Sequence, residues 1–171
     1  MSRHVAVTDR LVLDRVADDD AEDLAGLGTV EVVRFLGGTP WTVSSVRESI
    51  SIWRDIEERL GITTWVVRTK ESGEIVGTCG FAGTNVPWLR FDAVIEIGWT
   101  LGRRWWGQGL ATEAARAALG VGLTTYQPEQ FVSKCHVDNL SSEKVMQRIG
   151  MRRVGVVQGG WPEPTIVYRM V

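Results

Sequence analysis

Residues 96–114 read EIGWTLGRRWWGQGLATEA, and the fold turns on what this stretch can build. Its first part alternates. Ile97, Trp99 and Leu101 are apolar, while Glu96, Gly98 and Thr100 fall on the other face, the period of a half-buried strand. From 107 to 121 the chain is Ala-rich and helical, and Gly120 and Gly122 mark the end. Gly102, Gly107 and Gly109 lie at the junction. A glycine turn that opens a helix aims several backbone N–H groups and the positive end of the helix dipole at one point. That is an anion site, and without side chains a diphosphate can approach the backbone closely. Taken alone, Gly107 and Gly109 would serve equally well as a plain tight turn.

Outward from this stretch, the period changes along the chain. Residues 10–16 (RLVLDRV) predict a short strand, and the acidic run Asp18, Asp19, Asp20 predicts the first turn of a helix through 27. A helical turn at 30–36 meets the breaker Gly37-Gly38-Thr39-Pro40. Ser44 or Ser45 can cap a helix to Leu60, with Val46, Ile50, Trp53, Ile56 and Leu60 on its apolar face. Segments 62–69, 74–81 and 93–101 then alternate as strands. After the central helix come a strand at 131–137, a helix at 140–149, and strands at 151–157 and 165–171, the last two joined by a turn at 159–162. His4 is expected to lie in a frayed N-terminus. The strand–helix–strand unit around Gly107 implies a local parallel pair within a mixed sheet.

At 171 residues the chain fits one domain spanning 1–171, with a near-average 44% hydrophobic and 23% charged content. A net charge of −2 leaves no basic excess for phosphate backbones, so a dedicated nucleic-acid binder is disfavoured. Met1 to Leu13 lacks an apolar signal core, and no apolar run reaches the roughly 18 residues of a membrane span, so a cytoplasmic protein is expected. Cys79 and Cys135 sit in apolar strand-like runs and read as reduced, buried small hydrophobes. No metal is called for. Eight Trp beside two Tyr is the compositional oddity.

Three phosphate motifs compete for the glycine turn. Gly102 and Gly107 have P-loop spacing, but Gln108-Gly109 follow where that motif needs Lys and Ser or Thr. A dinucleotide fingerprint would place its third glycine where Thr112 stands, and the rest of the chain is too short for such a domain. The third pattern, R/Q-x-x-G-x-G/A, is met by Arg104-Trp105-Trp106-Gly107-Gln108-Gly109. Between a strand and a helix, this resembles the acyl-CoA pyrophosphate loop of the GNAT N-acetyltransferase superfamily. Downstream, Asn139-Leu140-Ser141-Ser142-Glu143-Lys144-Val145-Met146-Gln147-Arg148-Ile149-Gly150-Met151 resembles the family's NxxSxxVxxxxGM helix. Upstream, Arg10-Leu11-Val12-Leu13 and Arg34-Phe35-Leu36-Gly37-Gly38 resemble the branch of Rim-type ribosomal-protein acetyltransferases. The resemblance implies an α/β fold with a mixed, mostly antiparallel sheet, a central parallel strand pair and about four helices.

The resemblance also implies roles. Acetyl-CoA would be the acyl donor, its pyrophosphate on the backbone amides of Trp105, Trp106, Gly107, Gln108, Gly109, Leu110 and Ala111. Trp99, Thr100 and Leu101 would pair with pantetheine, and Arg103 and Arg104 would add charge, although a solvated arginine pair explains them as simply. Asn139 would touch the cofactor; as a residue before a helix it also reads as an N-cap. Many family members carry a tyrosine acid seven residues after the asparagine. Here that position is Met146, which leaves Ser142 to assist the departing thiolate. A thiol with a pKa of about 8.5 leaves readily, so a weak donor suffices.

Glu96, among small neighbours just upstream of the pantetheine strand, is the candidate base, with an ordinary ion-paired carboxylate as the plain reading. His136 reads as structural. Phe35, Trp41 and Trp161 are candidate walls for an acceptor between the N-terminal helices and the last hairpin, and each reads as packing when taken singly. At pH 7 a lysine is unprotonated roughly 250 times less often than an α-amine, a gap of about 3.3 kcal/mol. One modest carboxylate therefore points to a protein N-terminus or a small-molecule amine. Two other classes stay open: a non-catalytic acyl-CoA sensor and a nucleotide-cofactor enzyme. Homodimerisation is also left open.

Overall fold

The computed structural model describes residues 3–83, 95–158 and 164–171. Among the described residues, eight strands form one sheet in the order β1-β2-β3-β4-β5-β6-β8-β7. They are β1 (His4–Val7), β2 (Leu11–Asp14), β3 (Thr64–Thr69), β4 (Ile75–Gly83), β5 (Ile95–Leu101), β6 (Phe131–His136), β7 (Arg152–Val157) and β8 (Thr165–Arg169). The helices are α1 (Ala21–Leu27), the single turn α2 (Val30–Val33), α3 (Val43–Leu60), α4 (Leu110–Gly122) and α5 (Leu140–Arg148). Every strand pair is antiparallel except β5 with β6. The crossover through α4 makes that pair parallel.

Two cores flank the sheet. On one face Leu110, Ala114, Ala115 and Ala118 of α4 and Val145 and Met146 of α5 pack on Phe81, Ile95, Ile97 and Phe131. On the other, Leu24, Val46 and Ile50 of α1 and α3 cover Val66 and Ile75, with Trp41 and Trp53 at the rim. Both cysteines are free and buried. Burial pushes the Cys79 thiol up to about 12.

Three local expectations need correction. Residues 4–7 form a strand: His4 is not frayed but pairs across β2 with Asp14. The cap of α3 is Thr42, not Ser44 or Ser45. Thr42 Oγ1 accepts from Ser45 N at 3.1 Å, and Ser45 Oγ accepts from Thr42 N at 3.0 Å. The run at 18–20 is a 3-10 turn, and its Asp20 does more than face a helix dipole. Asp20 is 4% exposed, takes Arg3 Nη2 at 2.7 Å and Arg68 Nη2 at 2.5 Å, and so ties β1, β3 and the turn together. A carboxylate this deep needs paired cations.

Candidate active site

β5 and β6 are paired only at Ile95–Phe131 and Glu96–Val132. Beyond Glu96 the two strands part, and a cleft of about 470 Å³ opens between them. Backbone direction within β5 follows from its neighbours. Gly102 N donates to Val76 O of β4 at 2.9 Å, so strand alternation turns Ile97, Trp99 and Leu101 toward the opening. Two of their carbonyls are taken: Ile97 O by Ser133 Oγ at 2.8 Å and Leu101 O by the Trp106 indole N–H at 2.7 Å. Trp99 sits between them, its N–H and C=O facing the cleft.

At the end of β5 the chain makes a 3-10 turn, Arg103–Trp105, then enters α4 through Gly107 and Gly109 at φ +75° and +78°. Only glycine takes these left-handed values at no steric cost. A Cβ on Gly107 would meet nothing within 4 Å, so the loop is open on the side a ligand would approach. Trp105, Trp106, Gly107, Gly109, Leu110 and Ala111 line the cleft. The buried Trp105 indole N–H has no partner among the described residues. An anionic ligand that brings its own acceptors fits this rim of donors.

Arg103, Arg104 and Gln108 do not line the cleft as expected. Arg103 lies over the Trp106 ring (5.0 Å) with Nε 3.9 Å from Glu31, and Arg104 lies over Trp105 (4.8 Å) and pairs with Glu74. They brace the tryptophans from outside. Gln108 Nε2 bonds back to Arg104 O at 3.0 Å, and its own carbonyl accepts from Arg10 Nη1 at 2.9 Å.

That contact exposes a group that local pattern did not flag. Glu113 of α4 accepts from Thr8 Oγ1 at 2.6 Å, Arg10 N at 3.0 Å and Arg10 Nε at 2.7 Å. The β1–β2 turn thus clamps the glycine loop and the first turn of α4. Burial pushes the Glu113 carboxyl up, but the Thr8 and Arg10 hydrogen bonds and the Arg10 charge outweigh it and hold the group below the ordinary value.

The α5 side of the cleft carries Cys135, Asn139, Ser141 and Ser142. Asn139 caps α5, its Oδ1 accepting from Ser142 N at 3.2 Å. Burial and the Glu143 charge push the Cys135 thiol up to about 11, against a hydrogen bond from Ser142. The Ser142 hydroxyl therefore already faces sulfur. Met146 is fully buried in the core. Neither tyrosine lines the cleft: Tyr126 OH donates to Leu60 O, and Tyr168 OH bridges Glu143 and Gln147.

The opposite side carries Glu96, Lys134 and His136 from the sheet and Glu31, Arg34 and Phe35 from α2 and the turn after it. Glu96 Oε2 is held by Lys134 Nζ at 3.0 Å, so the carboxylate is in the cleft but ion-paired. His136 stacks on Phe35, with centroids 5.2 Å apart and an 18° tilt, so it joins the site although it reads as structural in sequence. Trp41 does not reach the cleft. Its ring lies where a Cβ on Gly28 would be, within 2.3 Å, and packs on the α1–α3 core. Trp161 lies outside the described residues.

Comparison with known proteins bears directly on this arrangement. A model of the acetyltransferase (GNAT) domain matches residues 10–152. The chain is 31% identical to the Bacillus subtilis protein YkkB over 95% of its own length and 92% of that protein's. Among solved structures, an acetyltransferase from Agrobacterium tumefaciens superposes with a TM-score of 0.80 at 24% identity, covering 100% of this chain and 96% of that one. RimL, a ribosomal L7/L12 α-N-protein acetyltransferase solved in complex with coenzyme A, superposes at 0.72 with 19% identity over 98% of both chains. A family model that spans most of the sequence, on a fold whose central strands part over a glycine loop, shows that the chain belongs to the GNAT acetyltransferase family.

Proposed function

We propose that the protein transfers an acetyl group from acetyl-CoA to a primary amine, either a protein N-terminus or a small molecule, by direct attack within a ternary complex. The parting of β5 from β6 above the glycine loop carries this reading. It leaves Trp99 to pair with pantetheine, and because Trp105 N and Trp106 N already donate to Gly102 O and Arg103 O, the amides of 107–111 are the ones that would meet the diphosphate. The coenzyme A complex of RimL supports the same donor.

In the reaction the amine lone pair attacks the thioester carbonyl carbon, and backbone N–H near 97–99 stabilises the developing oxyanion. The C–S bond then breaks with its electrons going to sulfur, which Ser142 helps to stabilise, and the nitrogen loses its proton. Glu96 is the group that takes the proton, directly or through water, once the amine competes with Lys134 for it. A covalent acetyl-cysteine route is disfavoured by Cys135. With its thiol pushed up to about 11, the thiolate fraction at pH 7 is about one in ten thousand. Initial rates with both substrates varied should give intersecting reciprocal plots; parallel plots would point to an acyl-enzyme instead. The lysine held against Glu96 favours a second reading, a non-catalytic acyl-CoA sensor, which absence of turnover with bound CoA would select.

Ser142→Ala is expected to lower kcat about 10- to 30-fold while CoA affinity changes less than about threefold, because the hydroxyl acts on the leaving sulfur. Unchanged kcat would remove Ser142 from the mechanism.

The clamp on the loop gives a further expectation. Arg10→Met should weaken CoA binding about five- to tenfold by calorimetry, because Gln108 O and Glu113 lose their shared partner. Glu113 has a lowered folded value. Its contribution to stability is therefore full above the unfolded value, about 4.3, and lost as pH falls through the lower folded one. The stability difference between native protein and Glu113→Gln should be flat from about pH 7 to 5 and shrink below about pH 4. A difference that grows on acidification would contradict the clamp.

A further inference from the structure

We propose that the acceptor is an amine that also carries a carboxylate, and that Arg34 is the residue that reads it; this rests on the acetyltransferase reading above. Arg34, Phe35 and His136 form one stacked column at the acceptor side of the cleft. The Arg34 guanidinium lies 4.5 Å from the Phe35 ring centroid, and Phe35 stacks on His136 at 5.2 Å. A guanidinium whose Cζ lies over an aromatic ring can keep N–H groups for a second partner, and a carboxylate matches them bidentately.

The charges around the column point the same way. The carboxylates on this side already face a partner: Glu96 meets Lys134 at 3.0 Å, Glu31 meets Arg103 at 3.9 Å, and Asp138 Oδ2 stands 3.6 Å from His136 Nδ1. Arg34 has no carboxylate partner among the described residues, which leaves it as the unopposed charge on this wall. His136 adds a donor: its Nδ1 accepts from Asp138 N at 3.1 Å, which puts a ring N–H on Nε2. An acceptor with only an ammonium group would meet an uncompensated guanidinium here, whereas one that pairs its amine with a carboxylate satisfies it.

The test is amine-dependent thiol release from acetyl-CoA with matched acceptors, compared at equal concentrations of unprotonated amine. One arm sets free amino acids against their amides. The other sets short peptides beginning with Asp or Glu against those beginning with Asn or Gln. The carboxylate member should have a kcat/KM at least about tenfold higher in one arm, and that arm identifies whether the anion comes from a small amino acid or an acidic N-terminus. Arg34→Met should bring the two members to within about twofold, chiefly through the KM of the carboxylate member, and Arg34→Lys should restore part of the difference. CoA affinity, measured alongside, confirms that the variants are folded. Equal kcat/KM in both arms, or a preference that survives Arg34→Met, overturns the proposal and leaves the acetyltransferase reading intact. Absence of thiol release with every amine overturns both.

Discussion

Replacing Gly109 by Val is expected to weaken CoA binding about a hundredfold. Gly109 stands at φ +78° as the residue before α4, and a β-branched side chain there is a true outlier. An L-residue in this conformation costs roughly 1–2 kcal/mol, and branching at Cβ adds to that. The chain escapes the cost by turning Gly109 out of the left-handed region, which re-aims the N–H groups of Leu110 and Ala111. Losing two or three aligned donors to a diphosphate is worth about 2.8 kcal/mol, or a factor of 100. The nearest atom to a Cβ on Gly109 is Arg10 Nη2 at 3.6 Å, an ordinary contact, so crowding is not the cause. Gly109→Ala should therefore fall between the two, at about tenfold. Calorimetric titration with CoA checks this series; if Val binds as well as Gly, the loop is a turn and not a phosphate site.

Gly77→Ala should produce a large loss of stability. Gly77 lies in β4 opposite Leu101, with φ +155°, and a Cβ there would stand 2.1 Å from Thr100 O and 2.8 Å from Leu101 Cα. Those are backbone atoms of β5 and cannot swing aside. Separating the strands costs ladder hydrogen bonds, and overpacking alone costs about 1–3 kcal/mol, with backbone strain of similar size added. Together about 3–5 kcal/mol is lost, which lowers the melting temperature by roughly 10–15 °C in a chain of this length. Denaturant unfolding measures it directly. A loss below about 1 kcal/mol would mean that β4 and β5 do not approach as closely as described. Because β5 also forms one wall of the cleft, the same variant should bind CoA less tightly even where it is folded.

What the sequence made legible was local. The glycine turn, the helix after Asn139 and the change of period from α3 to β3 are written in runs of neighbouring residues, and the parallel pair follows from the crossover between β5 and β6. What it hid depends on distant partners. β1 is four residues with weak alternation, and it exists because β2 pairs with it. Asp20 reads like any carboxylate at a helix start until Arg3 and Arg68 reach it from 17 and 48 positions away. The clamp of Arg10 on Glu113 spans 103 positions, and no local pattern could announce it. Trp41 and Phe35 carried the same faint signal as aromatics on either side of Gly37-Gly38, yet one packs on Gly28 and the other stacks on His136. Gly77 did leave a trace. An isolated glycine inside a strand pattern often marks a close backbone approach.

Free-thiol release from acetyl-CoA, followed with and without a panel of primary amines, tests acetyl transfer at this cleft most directly. Release should depend on the amine, match the N-acetylated product mole for mole, and be lost together with CoA affinity in Gly109→Val. Tight CoA binding with no amine raising the rate of thiol release above its amine-free value would contradict transfer and leave the cleft as a binding site alone.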